Sequence, residues 1–238
     1  MDWISDVWHD VTTTQPAPST TTSLITAAVV LAFLVIPTAW HVARHVLTIV
    51  HEAAHGFVAL LVGRRLSGIR VHSDTSGLTV SVGKPRGPGM VATTAAGYPG
   101  PALVGLGAAW LLAQGYTLGV LWALLVLLAL VLVQIRNWYG LWAVLASGAV
   151  LVAVTVWGSA QVQAVAAHAV TWFLLLGAPR AVIEMQRQRR DLRRRGRPDT
   201  SDAGVLGNLT HLPGVVWVGV LLLVCLAALA LGGWWLVS

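Results

Sequence analysis

VLTIVHEAAHGFVALLVG, residues 46–63, is the stretch on which the rest of the chain is read. It is long and apolar enough to be a membrane-span candidate, yet it contains His51, Glu52 and His55. An ionisable group at bilayer depth costs about 2.5–3.5 kcal/mol on insertion scales, so such residues are expected to serve a purpose. Four residues along an α-helix turn through about 400°, which puts His51 and His55 one above the other on the same face. Two imidazoles so placed can offer nitrogens to one Zn(II) ion. Glu52 falls about 100° from His51 and about 60° to the other side of His55. That places its carboxylate beside the metal, where it can take a proton from metal-activated water as a general base.

The composition around this stretch points the same way. Of 238 residues, 56% are hydrophobic and 10% charged, and the mean hydropathy is +0.75. A soluble domain carries about 25% charged residues, so the chain reads as an integral membrane protein. The charges are also segregated: 12 of the 24 lie between Arg180 and Asp202, and Gly87 to Pro179 contains only Arg136. The net charge of +6 comes largely from the run RQRRDLRRRGR, Arg187 to Arg197, which has no aromatic residues interleaved. This fits a cytoplasmic loop in contact with anionic lipids and argues against nucleic acid. The single cysteine, Cys225, excludes a disulfide framework and a cysteine-based zinc cluster.

A ruler of about 20 apolar residues per span yields seven candidates: 24–40, 45–63, 97–114, 118–135, 138–156, 160–178 and 213–236. Placing 64–96, Arg136 and 180–212 in the cytoplasm puts 14 of the 15 Lys and Arg inside and leaves Arg44 outside. The positive-inside rule therefore predicts a multi-pass membrane protein with its N-terminus inside and its C-terminus outside, and the excess of Arg over Lys, 14 to 1, with abundant Ala, Val, Leu and Gly, fits a bacterial cytoplasmic membrane. Trp40, Trp157, Trp234 and Trp235 then fall near the outer interface, as do His41 and His45. Residues 1–23, without Lys or Arg and rich in Asp, Thr, Ser and Pro, are expected to be a short flexible tail rather than a cleaved signal. Residues 24–238 form one domain, with an Arg-rich cytoplasmic loop over 180–200. Between the second and third spans, Gly77–Val82 (GLTVSV) alternates like a strand after a turn-forming SDTSG and before the breaker-rich KPRGPG. A small hairpin or re-entrant element is expected there. The fold class is thus all-α, a polytopic transmembrane bundle of about seven spans, or six, with this small insertion.

A catalytic zinc site uses three protein ligands and an open position. Few acids are available, and Asp202 stands out, because Thr200-Ser201-Asp202 has the form of a helix start that would bring it to the inner membrane edge. The alternative for Asp202 is a surface charge at a helix N-terminus. His72, His168 and His211 lack any comparable pattern.

The HExxH of residues 51–55, the strand after it, the G-Y-x-G element of Gly97, Tyr98 and Gly100, and an Asp opening the last helical segment together resemble the site-2 protease family of intramembrane zinc metalloproteases. The resemblance covers roughly 45–100 and 198–217, and is nearest to the compact bacterial branch whose C-terminal motif reads Ser-Asp-Ala, here Ser201-Asp202-Ala203. Better-known members carry Leu-Asp-Gly after an Asn-Pro element. This chain has no equivalent of their substrate-positioning Asn, since Asn208 lies six residues beyond Asp202 and about 120° around the helix.

The expected activity is hydrolysis of a peptide bond in a transmembrane or juxtamembrane segment of a membrane protein. Zn(2+) is held by His51, His55 and Asp202, zinc-bound water is the nucleophile and Glu52 the general base. Leu78, Thr79, Val80, Ser81 and Val82 are expected to receive the unwound substrate by strand pairing. Two other classes share part of the pattern: a non-catalytic membrane scaffold or regulator that keeps the fold, and a metal or solute transporter. A Glu between the two His favours hydrolysis, and no second polar span provides a transport path.

Overall fold

The computed structural model of the chain describes residues 2–238. Among these, ten helices and one hairpin follow in order: α1 (Asp2–Thr12), α2 (Thr20–Val35), α3 (Pro37–Leu61), β1 (Arg65–Val71), β2 (Gly77–Val82), α4 (Pro88–Ala95), α5 (Pro99–Ala113), α6 (Thr117–Gln134), α7 (Trp138–Trp157), α8 (Ala160–Arg194), α9 (Asp202–Thr210) and α10 (Gly214–Val237). Helices α6, α7, α8 and α10 are each long and apolar enough to cross a bilayer. Their outward faces are apolar too, as at Leu130, Val133, Val150, Leu223 and Trp234, which is how a helix in lipid differs from one in water.

The bundle is built around α8. Leu174 and Leu175 are fully buried between α5 and α10, and Gly105 and Gly232 let those helices approach: a Cβ at either would press on the Leu175 side chain. Small residues at such crossings are the usual means of close helix packing in membranes.

Among the described residues α6, α7, α8 and α10 run the length of the bundle, and the shorter α5 and the bent pair α2–α3 pack against them. One end, the site end, gathers the β-hairpin, α4, the α6–α7 connector and α9. There Arg136 N donates to Ile69 O at 2.9 Å, and the Asn137 amide pairs with both backbone groups of Val71, donating at 2.7 Å and accepting at 3.2 Å.

The first two expected spans are corrected. Instead of two crossings, α2 and α3 meet at a bend of 105°. Pro37, the first residue of α3, has no N–H to give to α2 and forces Ile36 out of the helical region, to φ −72° and ψ 119°. Helix α3 therefore crosses the site end of the bundle. Trp40 and Arg44 both reach Glu184 of α8, His45 accepts from or donates to the Tyr139 hydroxyl at the start of α7 at 2.8 Å, and Ala54 lies under Gly100 of α5. Trp40, His41, Arg44 and His45 thus belong to the site end, not the opposite interface. Helix α5, at 15 residues, is also shorter than the ruler for a span.

Within the segment 1–23, expected from composition to be a short flexible tail, the structure has a helix. Residues 2–12 form α1, in which Trp3, Ile4, Val7, Trp8 and Val11 share one face while Asp6 and Asp10 fall outside it. Abundant Asp and Thr hide this pattern from a composition-based reading. Gln15 ties the segment to the α5–α6 turn, its N–H donating to Gly115 O at 2.8 Å and its Oε1 accepting from Leu118 N at 3.1 Å. The N-terminal helix therefore lies at the end opposite the hairpin, on the same side as the end of α10, and does not share a side with the basic loops. With Arg44 also moved, all 15 Lys and Arg fall at the site end, and the three Asp of α1 lie at the other.

The strand reading of Gly77–Val82 coincides with β2, which pairs antiparallel with β1. β1 (RLSGIRV) has no clean alternation because the register shifts between Leu66 and Gly68, leaving Ser67 without a partner in β2, and Gly68 takes φ +147°.

Candidate metal centre

Helix α3 presents His51 and His55 toward α9. Their Nε2 atoms are 3.0 Å apart, and Asp202 Oδ2 lies 3.4 Å from the first and 3.3 Å from the second. Among the described residues, no other group of three or more His, Cys, Asp or Glu converges in this way. The donor set fits a metal on three observations. Zn–N bonds of about 2.0–2.1 Å in tetrahedral geometry separate ligand atoms by roughly 3.3 Å, close to the spacings found. Asp202 Oδ2 is buried and accepts no hydrogen bond, and its nearest polar atoms are the two imidazole nitrogens, so a cation shared by the three would satisfy it. His55 Nδ1 lies 2.7 Å from Thr93 O, and a proton on Nδ1 leaves Nε2 as a lone-pair donor.

Small residues make room for this cluster. A Cβ at Gly97 would overlap both imidazole rings, and one at Gly100 would overlap Ala54. The Tyr98 ring packs edge-on to His51 with centroids 4.7 Å apart. The G-Y-x-G element is thus the surface on which the two histidines rest.

Glu52 is buried, and its Oε2 accepts a 2.6 Å hydrogen bond from the Thr79 hydroxyl on β2. Gly77, at the start of the same strand, leaves the space a side chain would take from Glu52 Oε1. Glu52, Thr79, the two histidines, Tyr98 and Asp202 border one cleft of about 480 Å³. Gly77, Leu78, Thr79 and Ser81 line it, whereas Val80 and Val82 do not. β2 pairs only with β1, whose far edge is taken by the α6–α7 connector through Ile69 and Ile135. The other edge of β2 has no strand beside it among the described residues.

Asp202 is aimed by a clamp that sequence patterns do not reveal. Arg189, almost fully buried, donates from Nε to Asp199 Oδ2 at 2.7 Å and from Nη1 to Gln186 Oε1 at 2.8 Å. Asp199 Oδ1 accepts from the Ser201 hydroxyl at 2.6 Å and from Ser201 N at 3.2 Å, while Ser201 Oγ caps α9 by accepting from Gly204 N at 3.2 Å. Burial works against a charged Asp199, but Ser201 and Arg189 together hold its carboxyl below the usual carboxylate range. Gly214 opens α10 without a Cβ, which would collide with Arg189 Nη2. Arg189 reads in sequence as one more charge in a solvated run. Only its helical offset from Arg187 and Arg190 distinguishes it.

The remaining histidines stay apart from the site. His168 Nδ1 lies 2.9 Å from Ala164 O one turn back in its own helix, and His72 and His211 are exposed. Asn208 is also exposed and does not border the cleft.

Compared with known proteins, the chain matches the family model described as Peptidase M50B-like over residues 24–232. No curated protein and no solved structure matches it.

Proposed function

Because the chain belongs to the peptidase M50B-like family of membrane metalloproteases, we propose that it is a zinc metalloendopeptidase that cuts a transmembrane or juxtamembrane segment of another membrane protein. The observation behind this reading is the convergence of His51, His55 and Asp202 on one point, with the Glu52 carboxylate beside it in the same cleft. His51 Nε2, His55 Nε2 and Asp202 Oδ2 would hold the ion. When bound, zinc lowers the pKa of a water it holds to about 7 and polarises the scissile carbonyl. Glu52 accepts the proton of the attacking water at Oε1, its Oε2 being held by Thr79, and returns that proton to the departing amine nitrogen.

A peptide bond in a helix is shielded by its own hydrogen bonds, so the substrate unwinds before it is cut. The open edge of β2, from Leu78 to Val82, satisfies the released backbone groups by strand pairing along the cleft. The outward main-chain groups of β2 are those of Thr79 and Ser81, because Ile69 and Val71 of β1 bond away from β2 and Val80 stands opposite Gly68. Ser81→Pro removes an outward donor and is expected to lower cleavage without lowering zinc content. Unchanged cleavage would refute strand pairing.

The segregation of every Lys and Arg to the site end favours that end as the cytoplasmic one. In a bacterial cytoplasmic membrane the active site then opens toward the cytoplasm, and α1 and the end of α10 face outward. Residues 24–238 act as one domain.

The test is metal analysis of the purified protein together with cleavage of a pool of single-span peptides in vesicles. One zinc per chain is expected, with cleavage that stops on chelation and returns with zinc. A wild-type protein that takes up no zinc would overturn the proposal.

A further inference from the structure

On the face of α8 turned away from the metal centre, Ile183, Gln186, Arg187 and Arg190 form a stripe at helical spacing. Together with Val182 of α8 and with Val218 and Leu222 of α10, they line a groove of about 290 Å³. Its two halves differ in chemistry. Toward the bundle it is apolar: Val182 is the buried floor, Val218 its wall, and Ile183 faces outward into the region where α10 is still apolar on all sides. Toward the end of α8 it is cationic. Arg187 and Arg190 are exposed and, among the described residues, make neither a salt bridge nor a hydrogen bond. They contrast with Arg189 between them, which turns inward to Asp199. Gln186 Oε1 is occupied by Arg189 Nη1, so its remaining polar atom, the amide NH2, is a donor.

We propose that this groove binds an anionic phospholipid, the phosphate held between Arg187 and Arg190 and an acyl chain lying along Ile183, Val182, Val218 and Leu222. Charge complementarity selects this occupant: two guanidinium groups and an amide donor, with no carboxylate among the lining residues, sit where an apolar groove meets the end of the apolar helices. A phosphodiester with an attached hydrocarbon chain matches both halves of the groove, whereas an acidic peptide leaves the apolar half unfilled and free phosphate gains nothing from it. Gln186 also links the site to the clamp, because the residue facing the headgroup is hydrogen-bonded to the arginine that holds Asp199.

The experiment uses the full chain in detergent and measures binding of phosphatidylglycerol against phosphatidylcholine by native mass spectrometry, with inorganic phosphate as a third arm. Wild type is expected to retain phosphatidylglycerol preferentially and to ignore inorganic phosphate. The pair Arg187→Gln and Arg190→Gln is expected to weaken phosphatidylglycerol binding about 30-fold, two cationic contacts being lost. The pair Arg193→Gln and Arg195→Gln removes the same charge outside the groove and should leave most of the binding intact. Leu222→Trp fills the apolar half without changing charge and should also weaken binding. An equal loss in both arginine pairs would overturn the site in favour of diffuse attraction. Competition by inorganic phosphate, or no effect of Leu222→Trp, would overturn the lipid as occupant.

Discussion

Glu52→Gln is expected to reduce cleavage by a factor of about 10²–10⁴, the range that general acid–base catalysis contributes, while leaving zinc content and folding in place. The substitution keeps the shape of the side chain. A glutamine carbonyl can still accept the 2.6 Å bond from Thr79, and its amide occupies the space that Gly77 leaves open. What is lost is the ability to take a proton at neutral pH and give it back to the leaving amine. Retained cleavage would remove Glu52 from its role as base. Loss of zinc together with cleavage would make it a support of the metal cluster. The same variant separates the transporter class, since a transporter would still move metal across sealed vesicles with glutamine at this position.

How far the amino-acid sequence discloses the fold and the site depends on the kind of physics involved. The pair His51 and His55 is readable because helix geometry alone fixes their relation, and β2 is readable because period-two alternation survives in GLTVSV. Asp202 can be singled out by elimination and by the cap-like residues around it. The clamp behind it cannot, since Arg189, Gln186 and Asp199 lie on two sides of a turn whose path depends on tertiary packing. Thr93 contributes only a backbone carbonyl, and any residue type offers one. A hydropathy ruler runs through Pro37 because Ile36 and its neighbours are apolar on both sides, so it counts two spans where a proline break turns the chain through 105°. That miscount puts His41, His45 and Arg44 on the wrong side and leaves the acidic N-terminal segment in conflict with the charge rule. Once the bend is placed, the conflict disappears, because α1 goes to the far end and Arg44 comes to the near one.

Replacing any of the three ligands is expected to remove most of the metal binding, and comparing the replacements tests how the site is assembled. His51→Ala, His55→Ala and Asp202→Ala each delete one of three protein donors. The loss in zinc affinity should exceed the 10- to 100-fold typical of outer supporting residues. The readout need not be activity: excess zinc stabilises whatever form binds it, by about 2.7 kcal/mol at 100 times Kd. The wild-type melting temperature should therefore rise with zinc, and those of the three variants should not. Asp202→Ala also removes a buried oxygen that accepts no hydrogen bond, and a metal-free melting temperature close to that of the wild type separates a loss of zinc response from misfolding. Arg189→Lys keeps a charge near Asp199 but loses the guanidinium's second bond to Gln186. Its zinc affinity should fall within the 10- to 100-fold band, between wild type and the ligand deletions. If Asp202→Ala responds to zinc like wild type while the two histidine variants do not, the carboxylate is not the third ligand. The clamp then has no metal to position, and a wild-type response from Arg189→Lys would follow.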